Sequence, residues 1–537
     1  MAFDSAIEDT AAASPDVRQF SRNSAFGSLA GLLTALSSVF ASVIVAHALG
    51  VAMTGVVAFA MWVAMVSAAI VDLGVQASLA RYLPELIAAG NGDAARGLAA
   101  ILWRWLACSC LVALTGFVGW TAWRWQCGSA SDAAAVKWGL VGLACALQAL
   151  AGFTFGYLRG MQRFDRLALL TGVYLACQLA GVALGSIYFG ATGAVGGYCA
   201  GSAVPAALSL RFAMSRGVAC PPELATRVRR YALYAWAGAL SGTIVWSRAE
   251  LFFLERSTGS AAIGLFTVAV TLANLASQGP MLLTAGLLPY FAENFGRSAI
   301  GELREGYATA TRVLAFLALP ACFGLVALLP VLLPLVYGHD FADAVPAATV
   351  LVLAAGIAAT ASVGTTLVMA MDRSDFVFAS GLVSALLAII AGFTVIPAFG
   401  LMGAAWSRAT IQVVAVLMGG GFVVWRLRFP LPLADLAKLA LAAAICGVAA
   451  CACLMLMPGS RTLPVAIIVG MVSYAAAVRA LGALHPRDAD RLRILCNVFP
   501  PRVSALAGRL IGLLVPRPAP AVALIGTSAR RSTGDAD

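Results

Sequence analysis

The string Met161-Gln162-Arg163-Phe164-Asp165 returns in outline as Met371-Asp372-Arg373-Ser374-Asp375, and Phe189-Gly190-Ala191-Thr192-Gly193-Ala194 returns as Phe399-Gly400-Leu401-Met402-Gly403-Ala404, both at an offset of 210 residues. Working outward, Gly50 and Gly55 are answered by Gly259 and Gly264 at an offset of 209, and Leu83-Pro84-Glu85 is loosely matched by Leu288-Pro289 and Glu293. Single glycine turns recur by chance. Four matches in one order at nearly one offset identify an internal duplication.

The segments between these strings are apolar. The chain has 537 residues, 61% hydrophobic and 11% charged, where a soluble domain carries about 25% charge. A single aqueous core stops growing at roughly 250 to 300 residues, so this much apolar sequence requires a bilayer as solvent. Runs of about 20 residues, enough to cross a hydrocarbon layer of roughly 30 Å, number fourteen. They lie near 25–49, 56–82, 99–122, 136–157, 167–189, 193–214, 231–254, 263–289, 308–333, 346–370, 376–396, 402–424, 437–457 and 462–483. None alternates with period two, and lipid leaves backbone groups no outside partner, so the spans are expected to be helices. The first 24 residues lack the short apolar core and cleavage site of a signal peptide, so the first run is expected to insert and remain.

Positive charge orients the spans. Of 35 Lys and Arg residues, 29 fall on the side holding the N-terminus; the other six are Arg124, Lys137, Arg248, Arg256, Arg408 and Arg461. Both termini are therefore expected in the cytoplasm, as fourteen spans require. The net charge of +11 is spread over loops rather than gathered on one element, which excludes a nucleic-acid partner.

A repeat of six spans is even, so both copies enter the membrane from the same side, related by an axis along its normal. The expected fold is an all-α polytopic membrane protein with about 14 transmembrane helices. It has two pseudosymmetric six-helix lobes around a central cavity, plus two extra C-terminal helices. The division is a cytoplasmic N-terminal tail 1–24, a first lobe 25–215, a linker 216–230, a second lobe 231–425, helices 13 and 14 over 437–483 and a cytoplasmic tail 484–537.

Several chemistries are excluded. A P-loop needs Gly-Lys-Ser/Thr, but Lys137 follows Val136 and Lys438 follows Ala437. The three histidines, His47, His339 and His485, stand apart, and no HExxH or GxSxG occurs. No enzyme, metal site or cofactor is expected. The cysteines fall mostly within apolar runs, and Cys451-x-Cys453 reads as small packing residues.

Polar groups inside spans are expensive and are functional candidates. Arg248 in span 7 and Arg408 in span 12 lie in the outer half of the second lobe and could meet an anion such as a diphosphate. Each could instead snorkel to headgroups or pair with an acid from another helix. Gln412 shares the face of Arg408; Asn274 and Gln278 share a face of span 8, Tyr174 and Gln178 one of span 5, and Asp72 and Gln76 one of span 2. Glu250 follows Arg248 by two residues, roughly 200° round a regular helix, so both can face one cavity only if span 7 is locally distorted.

The stretch Ala46-His47-Ala48-Leu49-Gly50, Gly55, Asp72-Leu73-Gly74 and Arg81-Tyr82-Leu83-Pro84-Glu85, with the loop Tyr157-Leu158-Arg159-Gly160-Met161-Gln162-Arg163-Phe164, resembles bacterial polysaccharide flippases. These are the Wzx-type lipid-linked oligosaccharide transporters of the multidrug, oligosaccharidyl-lipid and polysaccharide exporter superfamily. The resemblance covers roughly the first 200 residues and fades to topology beyond. It implies an undecaprenyl-diphosphate-linked oligosaccharide moved between leaflets of the inner membrane for O-antigen, capsule or exopolysaccharide assembly, with glycosyltransferase and polymerase partners. It also implies that Arg248, Arg408, Gln412, Asn274 and Gln278 line a substrate cavity, and that Asp72 or Glu250 carries a coupling proton or sodium ion. Two alternatives stand beside it: a peptidoglycan-precursor flippase, whose first helix is usually Arg-rich where span 1 here has neither Arg nor Lys, and a multidrug/cation antiporter, which would favour carboxylates.

Overall fold

The computed structural model describes residues 17–128, 132–214, 221–246, 248–282 and 287–484, together with Asp488 and Gly512. All regular structure among them is helical. The helices are α1 (Val17–Val71), α2 (Val75–Ala88), α3 (Gly92–Gln126), α4 (Asp132–Gly160), α5 (Phe164–Ser209), α6 (Pro222–Trp246), α7 (Glu250–Ser257), α8 (Ser260–Leu282), α9 (Leu287–Gly296), α10 (Ile300–Tyr337), α11 (Val345–Ala370), α12 (Ser374–Gly421), α13 (Leu433–Leu456) and α14 (Leu463–Leu481).

These fourteen helices are not the fourteen spans one for one. Ten are long and apolar enough to cross a bilayer. Three of those, α1, α5 and α12, hold two spans each, joined at Gly50 (φ 73°), Gly190 (φ 61°) and Gly400 (φ 53°). A left-handed residue between two helices is cheap only for glycine. Span 2 ends in α2, span 7 is α6 with α7, and span 8 is α8 with α9.

The duplication is written into the backbone. In the first copy Gln162 takes φ 54°, and the amides of Met161, Gln162 and Arg163 donate to the carbonyls of Tyr157, Arg159 and Leu158. In the second copy Asp372 takes φ 58°, and Met371, Asp372 and Arg373 donate to Leu367, Met369 and Val368. The same three-bond turn, a left-handed residue closing a helix end, ends α2 at Gly90 and α9 at Ser298.

The first lobe, α1 to α5, packs around Leu79, Leu102, Phe153 and Val182. The second, α6 to α12, packs around Phe266, Leu333, Phe341 and Val363. Helices α13 and α14 lie outside both, against Val313, Ala315 and Leu319 of α10. Arg312 of α10 holds this addition, with Nε and Nη2 each 2.9 Å from a carboxylate oxygen of Asp488 and Nη1 3.6 Å from Asp435.

Some expected boundaries shift. The helix of span 1 starts at Val17, inside the stretch 1–24 expected as tail, and α6 starts at Pro222, inside the expected linker 216–230. Apolar length measures only the part of a helix within lipid, whereas polar turns continue beyond it; Pro222 and Glu223 at the start of α6 are ordinary first-turn residues. Residues 1–16, and those of the tail 484–537 other than Leu484, Asp488 and Gly512, lie outside the described residues.

The lobes meet at the end where spans 1 and 2 join. A Cβ on Gly55 would overlap the carbonyl oxygen of Ser260, and a Cβ on Gly264 would overlap that of Val51. Since 51 and 55 answer to 260 and 264 in the repeat, this is one self-complementary contact made twice, and the pseudo-two-fold axis passes through it. Beside it the Ser42 and Tyr337 hydroxyls lie 2.8 Å apart, and His47 Nε2 lies 2.8 Å from the Val336 carbonyl oxygen.

Candidate substrate cavity

Below that contact the lobes part around two joined chambers. The mouth chamber, about 650 Å³, lies between α1, α4, α5 and α8, and its lining includes Gly27, Thr34, Arg159, Phe164, Tyr174 and Gln278. The deep chamber, about 370 Å³, is lined by Ser42, Val57, Met61, Trp62, Tyr198, Thr267, Arg248 and Arg408, among others. Ser38, Thr271 and Asn274 line both. Along α1 the lining runs from Gly27 to Val45, roughly 27 Å at 1.5 Å per residue. The cavity therefore runs along most of span 1, from the end where Arg159 and Phe164 lie toward Gly55 and Gly264.

Span 7 supplies the distortion that Arg248 and Glu250 require. The helix stops at Trp246 and resumes at Glu250, and Arg248 between them takes φ 67°. A left-handed non-glycine residue stores strain, and such strain concentrates at functional positions. The break turns Arg248 into the deep chamber, where Nη2 donates to Thr271 Oγ1 at 3.3 Å and the Thr271 hydroxyl in turn donates to the Thr267 carbonyl at 2.7 Å. Among the described residues no carboxylate pairs with Arg248.

Arg408 meets an acid from another helix. Its Nη1 donates to both carboxylate oxygens of Glu250, at 3.2 and 3.3 Å. The side chains are only 11% and 8% exposed, so the pair ties α7 to α12 within the second lobe while one face of Arg408 still lines the chamber. The lining residues include no carboxylate. Counting Glu250 behind Arg408, the deep chamber keeps one positive charge in excess, and Arg159 gives the mouth chamber another.

Of the other expected residues, Asn274 and Gln278 line the cavity, as does Tyr174. Gln412 does not. Its Oε1 is buried one turn beyond Arg408 and has no hydrogen-bond partner among the described residues. Asp72 lies elsewhere: span 2 breaks at Leu73 (φ 49°) and Gly74 (φ 75°), and Asp72 Oδ1 accepts the backbone N–H of Gln76 at 3.4 Å in the first turn of α2. Gln76 packs over Gly152 and Gly156 of α4. The break exists because α6 crosses there, with Gly74 against the Ala232 carbonyl and Trp236 Nε1 donating to the Ile70 carbonyl at 3.0 Å. Among the described residues no group of three His, Cys, Asp or Glu side chains could hold a metal ion.

Sequence reasoning missed Arg159, Trp62, Thr267 and Tyr198 as cavity residues. Arg159 counts there among the charges that orient the loops, and aromatics in apolar runs read as core.

Solved structures share this architecture. A lipid II flippase MurJ in an inward closed conformation superposes with a TM-score of 0.66 at 13% identity, over 84% of this chain and 97% of that one. An inward-facing multidrug resistance MATE family transporter of the MOP superfamily gives 0.57 at 15% identity, over 76% and 95%. At such identities the likeness is one of fold. In sequence, 175 residues are 26% identical to the teichuronic acid biosynthesis protein TuaB of Bacillus subtilis (strain 168), covering 32% of this chain and 35% of that protein. Residues 20–295 match the family described as polysaccharide biosynthesis protein. That match takes in the whole first lobe and the start of the second, and the chain belongs to the polysaccharide biosynthesis protein family.

Proposed function

We propose that the chain carries an undecaprenyl-diphosphate-linked oligosaccharide from the cytoplasmic to the periplasmic leaflet of the bacterial inner membrane by alternating access. The product feeds O-antigen, capsule or exopolysaccharide assembly, with glycosyltransferases supplying the substrate and a polymerase consuming it. One observation carries the reading: a cavity between two repeat-related lobes holds the guanidinium of Arg248, bonded to a threonine and, among the described residues, to no carboxylate. A cation in a low-dielectric site calls for an anion. An organic cation would meet two arginines there, which disfavours drug extrusion.

With the Arg-rich face in the cytoplasm, the outer contact at Gly55 and Gly264 seals the periplasmic side and the mouth receives substrate from the inside. Rocking about the axis through that contact would open the other side. Glu250, ion-paired with Arg408 beside the cavity, is the acid placed to couple this to a proton or sodium gradient. The test is reconstitution: proteoliposomes with the purified chain should move a fluorescent polyprenyl-diphosphate disaccharide between leaflets, and Arg248→Ala vesicles should not. Equal movement in both would refute the reading.

A further inference from the structure

We propose that the turn joining α12 to α13 binds an anionic phospholipid of the leaflet on the Arg-rich face, held by Arg426 and Arg428 beside the exposed ring of Trp425. The stretch Phe422-Val423-Val424-Trp425-Arg426-Leu427-Arg428-Phe429 closes span 12. Phe422 stacks on Phe376 with ring centroids 4.0 Å apart, which sets the stretch beside the Arg373 turn at that face. Val423 and Phe429 are buried in the second lobe, whereas Trp425 is 83% exposed and Arg426 and Arg428 are exposed with it. The Trp425 ring lies over Gly421 of its own helix. An amphipathic ring at the end of a span marks the headgroup level. Leu433, the first residue of α13, is exposed as well, so apolar and cationic surface share the turn.

This turn differs from other arginine-bearing turns in charge and in backbone. No Asp or Glu occurs between Asp375 and Asp435, and Asp435 turns to Arg312 at 3.6 Å. Arg304 of α10 adds a third cation, its Cζ 5.6 Å from the Phe429 ring centroid. Among the described residues none of Arg304, Arg426 and Arg428 makes an ion pair, while Arg96, Arg227, Arg297 and Arg312 each hold an acid. The amides of Leu427 and Phe429 donate to the carbonyls of Phe422 and Val423, both at 3.1 Å, and close the helix end around Arg428 at φ 59°. Glycine takes such a position without strain, so the arginine side chain is not there for the turn. Its forked guanidinium, with that of Arg426, suits the oxygens of a phosphodiester. Trp425 and Leu433 suit the glycerol and acyl chains attached to that phosphate, and a water-soluble anion would have no use for them.

The test uses the full chain in detergent micelles, its tryptophan emission quenched by brominated phosphatidylglycerol or by brominated phosphatidylcholine. Subtracting the emission of the Trp425→Phe protein isolates the Trp425 signal. In the wild type that signal should be half-quenched at about tenfold less phosphatidylglycerol than phosphatidylcholine, and Arg426→Gln/Arg428→Gln should erase the difference. Arg428→Gly should erase part of it and raise the unfolding temperature, because glycine relieves the left-handed strain; the lost preference is then not a lost fold. Equal quenching by the two lipids in the wild type would make Trp425 an ordinary interfacial ring and overturn the site. So would an unchanged preference in the double variant, since other arginines would then draw the lipid. Protection from quenching by millimolar glycerol 3-phosphate would assign the arginines to a soluble anion instead, and a lower unfolding temperature for Arg428→Gly would return that arginine to the turn. Each of these overturns the lipid site. Transport is not read, so the site stands or falls apart from what the cavity carries.

Discussion

Gly55 of the first repeat and Gly264 of the second stand against one another, each so near the other's strand of backbone that neither has room for a Cβ. They are equivalent positions, so the contact marks the axis of the duplication, and it lies at the end of the cavity where Ser42 and Val45 form the lining. Small residues let helix backbones approach in lipid, where packing rather than hydrophobicity holds helices together. Gly55→Val should part the lobes at this end. A cysteine replacing Ser42 should then react with a membrane-impermeant maleimide from the periplasm in Gly55→Val and stay protected with Gly55 in place; equal protection in both would remove the gating role.

Arg248→Ala should lower polymer export about tenfold or more at unchanged protein level, because the anion loses its charged partner. Arg248→Lys should recover part of it. Polymer yield normalised to protein in the membrane fraction is the readout.

The Arg408–Glu250 pair is nearly buried, so breaking it from one side strands a charge. Arg408→Gln alone should destabilise the protein by about 3 kcal/mol, and the double variant Arg408→Gln/Glu250→Gln should regain most of that. Unfolding in detergent, compared across the four proteins of the cycle, measures the coupling.

Asp72 lies outside both chambers, and its carboxylate accepts the Gln76 amide where span 2 restarts. Asp72→Asn keeps an acceptor for the Gln76 amide and should leave export per protein at the wild-type level, whereas a carrier of the coupling ion would lose export on this change.

The repeat was legible because the glycines that mark it in sequence are the residues that turn the backbone and let it approach: Gly50, Gly190 and Gly400 take left-handed φ, and Gly55 and Gly264 meet. The cavity was legible in part. Arg248, Arg408, Asn274 and Gln278 stood out because charge and amide are rare in apolar runs. The Arg248–Glu250 angle flagged a distortion, but no glycine or proline flanks it to say where, since the left-handed residue is the arginine itself. Asp72 lies apart from the chambers because the Leu73-Gly74 break, which gives its carboxylate a local amide, interrupts what reads as one continuous span. Arg159 and Trp62 were hidden because a loop arginine and a buried tryptophan have commoner roles, and only the chamber around them separates the cases.

Outward carriage of a lipid-linked saccharide would show in which leaflet holds that saccharide when the protein is withdrawn. Spheroplasts depleted of the chain should accumulate it in a pool that a membrane-impermeant glycosidase added outside cannot reach, and restoring the chain should make that pool accessible. A pool already accessible from outside in the depleted cells would contradict the account.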